Sequence, residues 1–222
     1  MEDTICAVST APGAGGIAVI RISGPEAIAI CNTIFVPRTA GKGLLSQKAY
    51  TLRYGSIRRG EELIDEVLIA LFRAPHSFTG EDTVEITCHG SVYIQQQIMQ
   101  LLIERGCRSA LPGEYTQRAF MNGKMDLSQA EAVADLIAST SAGQHRLALN
   151  QMRGGFSHEL KNLREQLLHI TSLMELELDF SDHEELEFAD RSELSTLAAH
   201  IETVISRLAN SFSAGSYTHL RA

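Results

Sequence analysis

Short apolar runs, separated by glycine, proline and polar turns, dominate the first half of the chain. β-Branched and alternating apolar positions predict five strands, at residues 4–9, 17–23, 49–58, 63–72 and 83–88. The polar turn at 59–62 predicts that the third and fourth of these form a hairpin. Helical spacing of apolar residues predicts helices at 25–35 and at about 91–105. This half of the chain is therefore predicted to be a mixed α/β domain.

The second half of the chain has apolar residues at helical spacing almost throughout. Two capping-box spacings, Ser128 with Glu131 and Asp190 with Glu193, predict the starts of helices. The pair Gly154–Gly155 predicts a break or kink between helices, because glycine is a poor helix former. The predicted fold class is α+β: a mixed-sheet α/β domain followed by an all-helical segment.

Charge divides the chain at the same place as the apolar pattern. The formal net charge is −8, and residues 1–123 carry 11 basic and 12 acidic side chains, against 8 and 15 in residues 124–222. We therefore predict an α/β domain at 1–123, a partial helical domain at 124–213 and a tail without pattern at 214–222. The overall acidity argues against a protein that coats nucleic acid generally, since phosphate binding depends on Lys and Arg.

Composition excludes several other classes. The hydrophobic fraction of 44% is too high for a disordered chain, and no apolar run approaches the roughly 20 residues that span a bilayer. The N-terminus lacks the features of a signal peptide. Four scattered cysteines without a CxxC pair argue against a disulfide framework or a zinc site, and favour a reduced, cytoplasmic setting without a membrane: Cys6, Cys31, Cys88 and Cys107. We expect these cysteines to be small buried hydrophobic residues, and we predict no metal site.

The glycine-rich segment at 11–16 raises the alternative of a phosphate-binding loop. Such a loop leads into a helix, whose N-terminus meets the phosphate, but this segment leads into the strand predicted at 17–23. A Walker A motif is absent from the sequence. A tight turn between strands, at which a ligand could approach the backbone, is the favoured interpretation.

Three charged residues are candidates for a binding site. Alternation in Val84–Thr87 places Glu85 on the sheet face opposite its apolar neighbours, where it is either a solvent-exposed charge or a pocket carboxylate able to pair with an amidine-like edge. Arg21 lies between apolar residues on a predicted central strand and needs a partner or a ligand anion. Lys124 lies at the predicted junction of the two domains, where ligand pockets are common, although a surface lysine is the simpler interpretation.

Several segments resemble the N-terminal region of the MnmE (TrmE) family of tRNA-modifying GTPases, and the resemblance covers nearly the whole chain. The most specific is the block at 112–137. The other matching segments are Thr4–Ile5 with the loop at 11–16, IAVIRISGP at 17–25, SFTGED at 77–82 and VEITCHG at 84–90.

The resemblance implies a homodimerising α/β domain, similar to folate-binding aminomethyltransferase domains, that binds formyl- or methylene-tetrahydrofolate. The pocket residues of the family correspond to Arg21, Glu85 and Lys124, and no catalytic residue is assigned. The resemblance further implies that the full protein works with the flavoprotein MnmG to install an aminomethyl-type group on the wobble uridine of tRNA.

The sequence departs from the family pattern in one respect. In the family, a GTPase domain with a Walker A lysine, Mg²⁺ and K⁺ is inserted where this sequence reaches 213–215. We therefore expect this chain by itself not to hydrolyse GTP. Two alternatives stay open: a dimerisation or scaffold module without folate binding, and a self-standing aminomethyl-transferring enzyme, for which no acid–base constellation is visible.

Overall fold

The computed structural model describes residues 3–39, 43–179 and 195–206. Within these residues, seven strands form one sheet in the order β3-β4-β5-β6-β2-β1-β7. The strands are β1 (Ile5–Val8), β2 (Ile17–Ser23), β3 (Phe35–Pro37), β4 (Thr51–Arg59), β5 (Glu62–Phe72), β6 (Thr83–His89) and β7 (Arg108–Ser109). The pairings are antiparallel except that of β1 with β7, which is parallel, so the predicted mixed sheet is confirmed.

The helices follow the predicted α+β arrangement. They are α1 (Ala27–Ile34), α2 (Val92–Glu104), α3 (Glu114–Met121), α4 (Leu127–Ala138), α5 (Ala142–Met152), α6 (Gly155–Asp179) and α7 at residues 195–206; a 3₁₀ turn occupies Leu44–Ser46. None of the helices in the described residues is long and apolar enough to cross a membrane.

The five predicted strands and the hairpin are confirmed, but two short strands and one helix were not predicted. β3 begins at Phe35, so the predicted helix at 25–35 ends one residue too late. β3 has three residues and β7 two, too few to show a period of their own. The unpredicted helix is α3, which follows the left-handed Gly113 (φ 76°).

The predicted capping box of Ser128 with Glu131 is wrong. The helix begins two residues earlier, with Asp126 as its N-cap. The Asp126 carboxylate accepts a hydrogen bond from the Gln129 amide at 2.9 Å, and the Gln129 side chain accepts one from the Asp126 amide at 2.9 Å. Asp is as good an N-cap as Ser, and Gln can replace Glu at the third helical position. The helix therefore does begin with a capping box, but one formed by Asp126 and Gln129. The capping box predicted at Asp190 and Glu193 lies outside the described residues.

The two faces of the sheet differ in what covers them. Helices α1 and α2 pack on one face, and the core there includes Ile20, Ile22, Ile69, Ile86 and Ile98, all with side chains fully buried. The opposite face, here called the open face, exposes apolar side chains from the neighbouring strands β3, β4 and β5: Val36, Leu52, Tyr54 and Leu68, each 42–70% exposed. Alternation along the strands produces this asymmetry.

Contacts within the chain divide it into two units, at residues 1–148 and 149–222. In the second unit, the side chains of Leu163 on α6 and Ile201 on α7 are buried. The predicted break at Gly154–Gly155 is confirmed, because α5 ends at Met152, Gly154 has φ 81° and α6 begins at Gly155. The domain boundary near Gly123 rests on charge and apolar pattern and stays a prediction.

Candidate functional site

Arg21 and Glu85 lie directly opposite each other on the open face. Their strands, β2 and β6, are antiparallel neighbours, and the register pairs the two residues. Arg21 Nε donates to Glu85 Oε1 at 2.9 Å, and Arg21 Nη2 lies 2.7 Å from the same oxygen. Both side chains are about a quarter exposed, at 27% and 25%. The partner that Arg21 was predicted to need is therefore Glu85, and the pair remains accessible from the open face.

Two aromatic rings flank the Arg21 guanidinium. The ring centroids of Phe78 and Tyr115 each lie 5.6 Å from Arg21 Cζ, within the range of cation–π interactions. The Tyr115 hydroxyl also donates to the Arg21 backbone carbonyl at 2.6 Å. Phe78 comes from the connection between β5 and β6, residues 73–82, and Tyr115 comes from α3. Sequence reasoning did not select either ring, because neither carries a charge or an alternating pattern.

Lys124 contacts the same 73–82 loop and, within the described part of the chain, makes no hydrogen bond or ion pair with Arg21 or Glu85. Its exposed side chain donates from Nζ to the Pro75 carbonyl at 3.0 Å. Its stem passes beside Gly80, where an added Cβ would lie 3.2 Å from Lys124 Cγ. The structure therefore brings two of the three candidates into contact and places the third on the loop that carries Phe78.

A buried arginine forms the other charged centre of this region. Arg118 on α3 is 1% exposed and donates to the carboxylates of Asp3, Glu81 and Glu114 at 2.8–3.3 Å. Arg108 also contacts Asp3 and Glu114, at 2.6–3.0 Å. Bonding to Arg108 is the main cause that lowers the pKa of Glu114 to about 2 from its ordinary 4.5, with further help from the Leu111 amide and Arg118. We call these five residues the Arg118 cluster.

The Arg118 cluster is linked to the 73–82 loop through hydroxyl groups. Ser23 Oγ donates to Glu81 Oε2 at 2.8 Å and shares a 2.7 Å hydrogen bond with Thr79 Oγ1. Asn122, at the end of α3, donates to the Thr79 carbonyl at 2.7 Å. These bonds tie the loop to the sheet and to α3, and so hold Phe78 over Arg21. The spacing of the sequence did not reveal this network, because its members lie up to 115 residues apart.

The glycine-rich loop is confirmed as a turn between two strands. It joins β1 to β2, which are antiparallel, and no helix follows it. The Gly15 amide donates to the Gly90 carbonyl at 3.0 Å, and the Gly90 amide donates to the Gly16 carbonyl at 3.3 Å. A side chain at Gly90 would collide with the Gly15 carbonyl. The glycines are therefore explained by close packing of two backbone segments.

All four cysteines are buried and free, as expected of small hydrophobic residues. Burial raises the pKa of Cys88 to about 11 and that of Cys31 further, so both stay protonated at neutral pH. In the parts of the chain that the structure describes, no three His, Cys, Asp or Glu side chains converge as metal ligands would.

Comparison with known proteins supplies the family. A family model described as "GTP-binding protein TrmE N-terminus" matches residues 4–124, and a model described as "MnmE helical domain" matches residues 127–219. The first match alone covers more than half of the chain.

Curated relatives agree with these matches. A tRNA modification GTPase MnmE from Parabacteroides distasonis is 79% identical over 96% of this chain and 46% of its own length. The proteins of the same name from Bacteroides fragilis and Porphyromonas gingivalis are 70% and 55% identical over 97% of this chain. The chain spans about half the length of the curated relatives it matches. With both family models matched in sequence order, the chain belongs to the MnmE (TrmE) family.

Proposed function

We propose that this chain supplies the folate-binding and dimerising part of a tRNA modification GTPase, with Arg21, Glu85 and Lys124 as the folate-binding residues. The observation that carries the proposal is the Arg21–Glu85 pair, which lies accessible on the open face between two aromatic rings. A carboxylate in such a place can accept charge-assisted hydrogen bonds from the amino-pyrimidine edge of a pterin, and Oε2 is the oxygen that Arg21 leaves open.

The residues fit formyl- or methylene-tetrahydrofolate in three respects. Both contacts from Arg21 fall on Glu85 Oε1, whereas Oε2 accepts no hydrogen bond within the described residues, so this second oxygen can face a ligand. Phe78, which is 40% exposed, offers an aromatic surface to a flat ring. Lys124 would reach an anionic or carbonyl group of the ligand by releasing the Pro75 carbonyl.

The open face also supports dimerisation through the α/β domain. Its exposed apolar residues Val36, Leu52, Tyr54 and Leu68 lie on three strands that are neighbours in the sheet, β3, β4 and β5. Contiguous apolar surface of this kind is typical of protein interfaces. We propose a homodimer that uses this face.

In the whole protein, this chain would hold the folate that is the source of the one-carbon unit. When bound, tetrahydrofolate supplies a one-carbon group for the aminomethyl-type modification of the wobble uridine, carried out with MnmG on tRNA. The residues of this chain would bind and orient the folate, and none is proposed as catalytic. GTP, Mg²⁺ and K⁺ belong, in this proposal, to a GTPase domain of the full-length protein.

Calorimetric titration of the purified chain with 5-formyl-tetrahydrofolate tests the folate proposal. Glu85→Ala should weaken binding by about 2 kcal/mol, roughly thirtyfold, because a charge-assisted pair is lost. The matched control is Glu62→Ala, which removes an exposed carboxylate from the neighbouring strand β5 and should leave the affinity unchanged. Equal affinity in Glu85→Ala and the unaltered chain would contradict the assignment.

The second candidate is a dimerisation or scaffold module without folate binding, favoured by the exposed apolar residues of the open face. Its signature would be a dimer by light scattering that gives no heat with the folate. Leu52→Glu, at a position 70% exposed, should dissociate a dimer that uses this face while leaving the core intact.

A further inference from the structure

Helix α3 is bonded to the rest of the α/β fold by three residues spaced along one side of it. Tyr115, Arg118 and Asn122 follow one another at intervals of three and four positions, which places them on the same side of the helix. The Tyr115 hydroxyl donates to the Arg21 carbonyl, and Arg118 pairs with the carboxylates of its cluster. Asn122, the C-cap residue, donates from Nδ2 to the Thr79 carbonyl at 2.7 Å. One side of α3 is therefore bonded both to the sheet and to the loop that carries Thr79.

The backbone at Asn122 does not require asparagine. Asn is favoured at helix ends because it tolerates the left-handed conformation, but Asn122 has φ −87°. The left-handed conformation is taken by the next residue, Gly123, with φ 68°. A Cβ added at Gly80 would lie 3.2 Å from Asn122 Cβ, so the loop backbone packs closely against this position. The part of Asn122 that the fold uses is therefore its side-chain amide, and the partner of that amide is the loop carbonyl of Thr79.

Phe78 depends on its neighbour Thr79 for its position. The Phe78 backbone forms no hydrogen bond among the residues that the structure describes, and the side chain is 40% exposed. Thr79, by contrast, is fully buried and held at two points. Its hydroxyl shares a 2.7 Å hydrogen bond with Ser23, and its carbonyl accepts the bond from Asn122. The residue next to Phe78 is thus fixed, and Phe78 extends from it over Arg21.

The two bonds of Thr79 have different consequences for the loop. Without Asn122, the Thr79 hydroxyl would keep its buried bond to Ser23, so the loop would stay in the fold. The Thr79 carbonyl would lose its partner, and Phe78 would gain freedom. An aromatic ring that is held in place before binding loses less freedom when a flat ligand stacks on it, so holding the ring raises the affinity.

We propose that Asn122 is a positioning residue of the folate site. By holding the Thr79 carbonyl, it fixes Phe78 over the Arg21–Glu85 pair and so raises the affinity for the ligand. This inference rests on the proposed function. Asn122 acts through Phe78 and is not itself a contact of the ligand.

A double-mutant cycle tests the proposal by calorimetric titration with 5-formyl-tetrahydrofolate. Asn122→Ala should bind about three- to tenfold more weakly, as expected for the loss of one neutral hydrogen bond. In the Phe78→Leu background the same substitution should change the affinity by less than about twofold, because residues that act through one shared contact are not additive. The matched control is Gln117→Ala, which removes an exposed amide side chain from the same helix and should leave the affinity unchanged.

Hydrogen exchange of the chain without ligand gives a second measurement. The amides of Ala74, His76 and Glu81 are hydrogen-bonded within the loop, so their exchange reports how well the loop is held. In Asn122→Ala they should exchange about threefold faster or more, because local opening becomes easier. In Gln117→Ala they should exchange as in the unaltered chain, and the amides of β6 should be unchanged in both variants.

The outcomes separate this inference from the proposed function. If the unaltered chain binds the folate and Asn122→Ala binds it equally well, the positioning role is overturned and the folate site stands. An equal loss of affinity in the Phe78→Leu background would also overturn it, as would unchanged exchange of the loop amides. Asn122 is exposed, so the circular dichroism of Asn122→Ala should match that of the unaltered chain; loss of the fold would make Asn122 a structural residue and overturn the inference. If the unaltered chain does not bind the folate, the proposed function fails and this inference fails with it.

Discussion

Two arginines in this chain have opposite environments, although both are paired with carboxylates. Arg118 is 1% exposed and contacts three carboxylates, whereas Arg21 is about a quarter exposed and contacts one. Arg118 has its charge neutralised by groups of the chain itself. Arg21 and Glu85 form a single pair that solvent, or a ligand, can reach.

The difference shows how burial and the number of partners separate a structural ion pair from a candidate binding pair. A charge removed from water is stable only when the protein supplies partners for it, as three carboxylates do for Arg118, whose Nη1 and Nη2 make these contacts while Nε makes no hydrogen bond within the described residues. A pair that is about a quarter exposed keeps some bonding capacity, here at Glu85 Oε2. The two centres are also connected, because the Arg118 cluster holds the loop whose Phe78 lies over Arg21.

The largest expected effect concerns stability. Arg118→Met should lower the free energy of unfolding by about 3–5 kcal/mol, because it removes the buried arginine that pairs with Glu81 and one of the two arginines that pair with Glu114. Arg21→Met, the matched substitution, should cost about 1 kcal/mol or less, since Glu85 retains access to water. Urea unfolding followed by circular dichroism measures both. Equal losses would break the distinction between the two arginines.

The second prediction concerns acid. The pKa of Glu114 is lowered in the folded chain, so the unfolded chain binds more protons below its ordinary value of 4.5. The stability that Glu114 contributes is therefore complete above about pH 4.5 and is lost as the pH falls toward about 2. Glu114→Gln should be less stable at neutral pH and should lose less stability across that interval. Urea midpoints measured from pH 5 to pH 2.5 test this, and an unchanged slope would contradict it.

The smallest expected effect concerns the aromatic rings that flank Arg21. Phe78→Leu removes one of the two rings that flank Arg21 and should cost about 0.5–1 kcal/mol of stability, as expected for a partly exposed cation–π contact. Leu45→Ala, which truncates an exposed apolar residue elsewhere, is the control. A loss as large as that of Arg118→Met would contradict this, because Phe78 would then stabilise the fold as much as the Arg118 cluster does.

Much of the architecture was predictable because local patterns carry it. The five long strands, the hairpin, the loop between β1 and β2 and the break at Gly154 follow from alternation, turn residues and glycine. β3 and β7 were not predictable, because strands of two and three residues are defined by the neighbours they pair with. The start of α4 was misplaced for a related reason: two capping patterns overlap there, and the observed fold uses only the one at Asp126.

For the candidate site, alternation along β2 and β6 was enough to place Arg21 and Glu85 opposite their apolar neighbours. Whether Arg21 and Glu85 face each other depends on the register of β2 against β6. Alternation along each strand does not define that register, and the two residues lie 64 positions apart in the chain. The positions of Phe78 and Tyr115 beside Arg21 and the Arg118 cluster likewise depend on contacts between distant segments. The sequence by itself therefore determined which side chains leave the core, and only the tertiary structure decided which of them meet, because long-range pairing is set by the packing of the whole sheet and its helices.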